Sequence, residues 1–518
     1  MTDGAAQDFF AAARPHRGVI TACFIAASLL QVLDATIANV ALPHMQGSLS
    51  ASTDQISWVL TSYLIASAIV MPAIGWLSSR FGRRRIALIS VAGFTFGSML
   101  CGTAQTIEQM VVYRLIQGVF GAGLVPLSQA VILDIYTPSE RGGAMTLWTA
   151  GIMVGPIVGP TLGAWLTDTY SWHWVFYVNV PVGALAFAGT WLYLPAMPLD
   201  RTRKFDWTGF LSLALGIGCL QLVLDRGETK DWFDSLEIAC EATLCATGFY
   251  LFIVQTMAAE HPFVSRQLLR DRNFVSSMTM AFTLGLALNS TSALLPPYFQ
   301  GLGGYPVLLS GLIMAPRGIG TLMGSLVISR LLNVADPRHL IACGLVMLGG
   351  SSWQMAHWTP DVPFLMQVPM MMIQGAAMTT VFTPMQIVAF SNVPPSLRTE
   401  ASGLISLVRN FGGSIGVAML ETLLARNTQV THQDLARFAT PFNRALQSGA
   451  AAKYWDLKTA SGLTHLDAVV NYHAQVVAYS DDFFAICLMV IPGFAAMLLM
   501  RRPARAVADD GEVHGVLE

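Results

Sequence analysis

The sequence predicts an all-α polytopic membrane protein, and three observations carry that prediction. Of its 518 residues, 54% are hydrophobic and only 12% are charged, where a soluble chain carries about 25% charged residues. Apolar stretches of about 20 residues, the length that crosses a bilayer as a helix, recur from one end of the chain to the other. Basic residues concentrate in alternate connections between those stretches, as the positive-inside rule requires. The net charge of −2 argues against bulk nucleic-acid binding.

Taken in order, the apolar stretches fall near 18–42, 57–78, 84–103, 110–133, 143–166, 173–194, 207–225, 236–257, 274–299, 308–332, 338–357, 363–390, 400–425 and 482–500. That is fourteen transmembrane helices, and an even number puts both termini on one side. The same side receives Arg80, Arg83, Arg84, Arg85, Arg141 and Arg398, so it is expected to be cytoplasmic. Arg14 and Arg17 precede the first stretch without a small-residue cleavage site, which reads as a retained first span. The expected divisions are a cytoplasmic tail 1–17, spans within 18–194, a linker region 195–272 holding two spans, spans within 273–501, and a cytoplasmic tail 502–518. Residues 426–480 read as one long, polar, extracytoplasmic loop, parts of which, such as His432 to Ala450, could be helical.

A repeat links the halves. Pro138-Ser139-Glu140-Arg141-Gly142-Gly143-Ala144 and Pro395-Ser396-Leu397-Arg398-Thr399-Glu400-Ala401 share Pro-Ser-x-Arg-x-x-Ala, each leading into a glycine-rich span from the same side. Parallel repeats of this kind are typical of one class of transporter.

The stretch from 151 to 163 sets Gly151, Gly155, Gly159 and Gly163 four residues apart, with Pro156 and Pro160 in step beside them. On a helix the glycines share one face, open to close approach by a second helix, while the prolines free carbonyls and permit a bend. A hinge or seal is expected there, against the plainer alternative of a packed seam.

Four charges inside spans are candidates for chemistry. Asp34 sits mid-span, and a carboxylate at membrane depth faces a cavity or a partner. A site that can take and lose a proton is the property a proton-coupled transporter needs; the alternative is a structural carboxylate held by arginine. Arg114, followed by Gln117, is the expected charge partner, either tuned by movement or locked in a fixed salt bridge. Arg317 and Arg409 need counter-charges or carbonyls, and substrate contact stands beside structural pairing for both. Methionines gather in the eleventh and twelfth spans, Met378 among them, and flexible thioethers suit a pocket for varied apolar ligands. No phosphate-binding Gly-rich loop, Gly-x-Ser-x-Gly or His-Glu-x-x-His occurs. The histidines and seven cysteines are dispersed, so no metal site, cofactor or enzyme activity is expected.

These stretches together resemble the fourteen-span drug:proton antiporter branch of the major facilitator superfamily, and within it the EmrB-type multidrug exporters. The glycine stretch is similar to the superfamily's antiporter motif, the surroundings of Asp34 to the branch's first-span signature, and Arg114-Gln117-Gly118 to its fourth-span motif. Trp172 to Gly183 is similar to its sixth-span entry. Gly75, Arg80, Gly82 and Arg83 resemble the cytoplasmic gating motif. Ser79 stands where many members have Asp, and Asp134 becomes the expected acidic partner.

The resemblance implies a major facilitator fold of two six-helix bundles plus two inserted helices, rocking about a midplane site. It implies Asp34 and Arg114 as proton-coupling residues, and Gln117, Arg317, Met378 and Arg409 as candidate cavity residues. It implies proton-driven export of hydrophobic or amphipathic compounds from a bacterial inner membrane. A periplasmic membrane-fusion adaptor and an outer-membrane channel would be its partners. The rival readings are a symporter or facilitator for one metabolite, a lipid-modifying membrane enzyme, and a transport-like sensor.

Overall fold

The computed structural model describes residues 13–501, apart from 138–139, 196–203, 333, 441, 444–445, 447–454 and 456–458. Both expected tails lie largely outside the described residues, as does part of the first repeat loop. Every predicted span is helical. α1 is Arg17–Ser48, α2 Thr53–Val70, α3 Ala73–Phe81, α4 Arg83–Cys101, α5 Ile107–Gly121 and α6 Leu124–Ile135. α7 is Arg141–Ile152, α8 Val154–Thr169, α9 Asn179–Tyr193, α10 Trp207–Arg226, α11 Leu236–Ala258, α12 Arg272–Pro297 and α13 Val307–Met314. α14 is Pro316–Leu331, α15 Pro337–Met355, α16 Phe364–Phe390, α17 Arg398–Ala436, α18 Ala460–Met489 and α19 Ile491–Leu499.

Among the described residues twelve helical stretches are long and apolar enough to cross a membrane, and the bent pair α2–α3 makes a thirteenth. The 19-residue α15 stands at the remaining predicted position. The fourteen-span prediction is compatible with this.

Local chemistry explains the boundaries. Ser52 and Gln55 close a capping box over the start of α2, satisfying two amides that a helix start leaves open. Thr106, Asp206, Asp271 and Thr459 cap α5, α10, α12 and α18 with side-chain oxygens. Pro72 separates α2 from α3, which diverge by 56°, because proline has no amide hydrogen to continue the ladder. Pro156 does the same to Ile152, and the fifth span breaks at Met153 between α7 and α8. Gly82 ends α3 at φ 91°, a conformation that strains any residue with a side chain.

The helices pack as two bundles. In the first, α1 lies between α8 and α9, and α5 between α2 and α4. In the second, α12 packs along α17, and α16 between α14 and α15. The inserted pair α10–α11 packs on itself, and α10 touches both α2 and α17. The turn between α10 and α11, together with α17, borders an open pocket of about 540 Å³ lined by Glu228, Asp231, Thr422 and Arg426.

The loop expected over 426–480, parts of which could be helical, is shorter: α17 continues to Ala436, and α18 begins at Ala460, well before its apolar core. Both helices extend past the stretch that hydropathy detects, because polar residues such as Asn427 and Gln429 keep helical geometry outside an apolar layer.

Candidate functional site

Asp34 lies midway along α1 and is 1% exposed. Its Oδ2 is 2.6 Å from Arg114 Nη1 on α5. Gln117 Nε2 donates to Oδ1 at 2.8 Å, and Asn179 Nδ2, at the start of α9, donates to the same oxygen at 3.0 Å. Three donors from two other helices match a carboxylate in its ionised form, which only accepts. Arg114 is itself fixed: Nε donates to Val59 O at 2.9 Å and Nη1 to Gln117 Oε1 at 2.8 Å. Its guanidinium lies 4.6 Å from the Tyr63 ring centre and 5.6 Å from that of Phe176. A planar cation between two rings gains cation–π attraction on top of its ion pair. The sequence pointed to Asp34 with Arg114. Gln117, named as a candidate cavity residue, belongs to this buried cluster. Asn179 and Tyr63 are members that sequence reasoning left out, although Asn179 stands within the quoted Trp172 to Gly183 motif.

The glycine face packs on the helix that carries Asp34. A methyl group at Gly151 would meet Ile25, at Gly155 Leu33 N at 3.2 Å, and at Gly163 Ile37 O at 3.2 Å. At Gly159 it would overlap Thr36 Oγ1. The close approach is therefore made inside the first bundle, between α7–α8 and α1. Pro156 and Pro160 lie beside it, and Pro160 sits inside α8.

The two bundles are joined at the basic end. Asp134, at the end of α6, forms ion pairs with Arg83 at the start of α4 and with Arg398 at the start of α17, the latter at 2.5 Å. Arg83 also donates to Pro395 O at 2.6 Å. Arg398 and Arg141, the arginines of the sequence repeat, both donate to Leu133 O, at 3.3 and 2.9 Å. The repeat thus brings two equivalent cations onto one carbonyl across the bundle interface. Gly75 lets α3 approach α17 so closely that a methyl there would lie 2.7 Å from Glu400 Cα. Two residues further along α17, Ser402 donates to Gln129. Arg80 lies on α3 two residues before Gly82. Ser79 donates to Trp76 O at 2.8 Å, so the acid of this junction is Asp134. Burial to 4–9% exposure of the Arg83–Asp134 side chains makes the junction far less screened than a surface ion pair.

The second bundle carries two arginines within its spans. Arg317 Nη1 donates to Ser292 Oγ at 2.8 Å, and Arg409 lies 5.7 Å from the Phe382 ring centre. Phe382 in turn stacks with Trp148 of the first bundle at 6.4 Å. Both arginines are half-buried, as is Met378. Neither arginine has an ion-pair partner among the described residues.

A polytopic helical protein with two bundles, a charged junction at one end and a buried ion pair in one bundle has the build of a membrane transporter. The model of the Major Facilitator Superfamily matches residues 24–417, and the chain belongs to that family. It is 33% identical over 433 residues to the multidrug export protein EmrB of Haemophilus influenzae, covering 83% of this chain and 85% of that one. The EmrB protein of Escherichia coli K12 is 33% identical over 432 residues, covering 83% and 84%. The fatty acid resistance protein FarB of Neisseria gonorrhoeae is 32% identical over 480 residues, covering 92% and 94%. The fold is shared with the human organic anion transporter MFSD10, at TM-score 0.59 and 14% identity over 92% of this chain and 100% of that one.

Proposed function

We propose that the protein is a proton-driven antiporter that exports hydrophobic or amphipathic compounds by alternating access. The observation that carries this reading is the fully buried ion pair between Arg114 and Asp34, the latter on the helix that the glycine face contacts. A proton arriving at Asp34 would cancel its charge and release its hold on Arg114, which keeps Gln117 Oε1 and Val59 O as acceptors. α1 would then be free to shift along the side-chain-free face of α8, and the bundles to rock. The junction of Arg83, Asp134 and Arg398 would open on the cytoplasmic side, admit substrate and lose the proton inward. Its closure would commit the substrate to the outside. The relatives' names support multidrug export. On this reading the protein sits in a bacterial inner membrane with both termini cytoplasmic, and a periplasmic membrane-fusion adaptor and an outer-membrane channel complete the path.

The test is proton release when a lipophilic cationic drug is added to detergent-purified protein, wild type against Asp34→Asn. Release in the wild type and none in the variant, with drug still bound, is expected. Binding without release in the wild type would remove direct exchange and favour a facilitator.

A further inference from the structure

A second carboxylic acid is buried in the other bundle. Asp482 lies in α18 and is 0% exposed. Both of its side-chain oxygens are enclosed without a hydrogen-bond partner, although the structure satisfies Asp34 with three donors. Among the described residues its surroundings offer no cation. α18 packs against α12, α15, α17 and the turn Tyr298–Leu302. α12 has one titratable side chain, Arg272, at its opposite end, and α15 has Arg338, His339 and Cys343, all toward that same end. α17 carries Glu421 and Arg426 near this level, but Arg426 lines the open pocket beside the turn of the inserted pair, and Glu421 is acted on by Asp225 and Glu228 of that pair. The groups that act on Asp482 or lie beside it are Asp481, a like charge, and the phenol of Tyr479. An ionised carboxylate cut off from water, donors and cations is strongly disfavoured, while the neutral acid is tolerated.

We propose that Asp482 is a second proton-binding site of this transporter, holding its proton in the conformation seen here and loaded from the far side of the membrane. The inference rests on the antiport reading above. The residue next to Asp482 meets water on that side. Asp481 is exposed and accepts from Asn427 Nδ2 at 3.2 Å. Tyr479 stands one helical turn from Asp482 toward the same end, with its ring centre 5.4 Å from that of Tyr298. In the loading step one proton from outside water forms an O–H bond on an ionised Asp482 and leaves a neutral acid. In the release step that bond breaks and the proton departs alone, so no other reactant is needed. A purely structural site gains nothing from an acid here, since leucine would fill the space without a polar atom.

The experiment is infrared difference spectroscopy of the full-length protein in lipid, wild type minus Asp482→Asn, followed by export from the same vesicles under an imposed pH gradient. The carbonyl band of a neutral carboxylic acid should be present in the wild type and lost in the variant. Gradient-driven export should fall about ten-fold, while substrate affinity holds within about two-fold. Asp482→Leu, which removes the polar group altogether, should behave as Asp482→Asn does. A band identical in wild type and variant overturns the proposal and leaves antiport at Asp34 intact. A lost band with unchanged export also overturns it, making the proton structural. Absent proton release in the wild type refutes antiport itself, and with it any transported proton at Asp482, while the band still reports the state of the acid.

Discussion

The two bundles treat buried charge in opposite ways. In the first, Asp34 and Arg114 neutralise one another, and Gln117, Asn179 and Val59 take up further bonding positions. In the second, Arg317 and Arg409 face inward without a carboxylate among the described residues, and Asp482 is enclosed without a donor. A compensated pair is stable until one proton or one substrate charge disturbs it. An uncompensated group is already waiting for its counterpart. The contrast suggests a division of work, with the first bundle holding a latch and the second offering open sites.

The contrast can be attacked by mutation. The largest effect is expected for Asp34→Ala, which strands the Arg114 guanidinium and should cost about 3–5 kcal/mol in chemical unfolding. Arg114→Gln added to it should recover most of that loss. The same truncation at Asp482 should be far milder, and equal losses at both positions would erase the distinction between the bundles. Next comes Asp134→Asn, which weakens two charge-assisted bonds at the junction. It should shift the closed state by about 1.5–3 kcal/mol, read as a longer spin-label distance between the basic ends of the bundles. An unchanged distance would show that the Gly75–Glu400 contact alone holds the gate.

Gly159→Ala should destabilise by about 1–3 kcal/mol through overlap with Thr36. Gly350→Ala in α15 has nothing within 4 Å and should stabilise or leave unfolding unmoved. Similar values for the two would deny the α1–α8 seam any special closeness. The smallest change is expected for Arg317→Gln, which gives up one hydroxyl partner. Stability should move by about 1 kcal/mol or less, and a larger loss would reveal Arg317 as a structural member of the second bundle.

Much of this was legible in the sequence, for a physical reason: charge inside an apolar run stands out. Asp34 and Arg114 could be paired on that ground alone, and glycine spacing marked the face that meets α1. The partner of that face could not be read, because periodicity gives a direction on a helix and not the neighbour in that direction. Gln117 looked like a cavity residue because an uncharged amide serves equally well inside a cluster. Asp482 was hidden by its position beside Asp481 at the edge of a hydropathy window, where an acid is unremarkable until burial is known. The extended ends of α17 and α18 were hidden in the same way, since polar helices outside a membrane leave no hydropathy signal.

That extension has a mechanical consequence. α17 is a single unbroken helix of 39 residues, about 58 Å at 1.5 Å per residue. It starts at Arg398, in the ion-paired junction with Asp134, and ends at Ala436. A rigid rod of that length is a tiller: a small turn where Arg398 leaves Asp134 becomes a larger sweep at the far tip. Anything resting on that tip would feel the junction part.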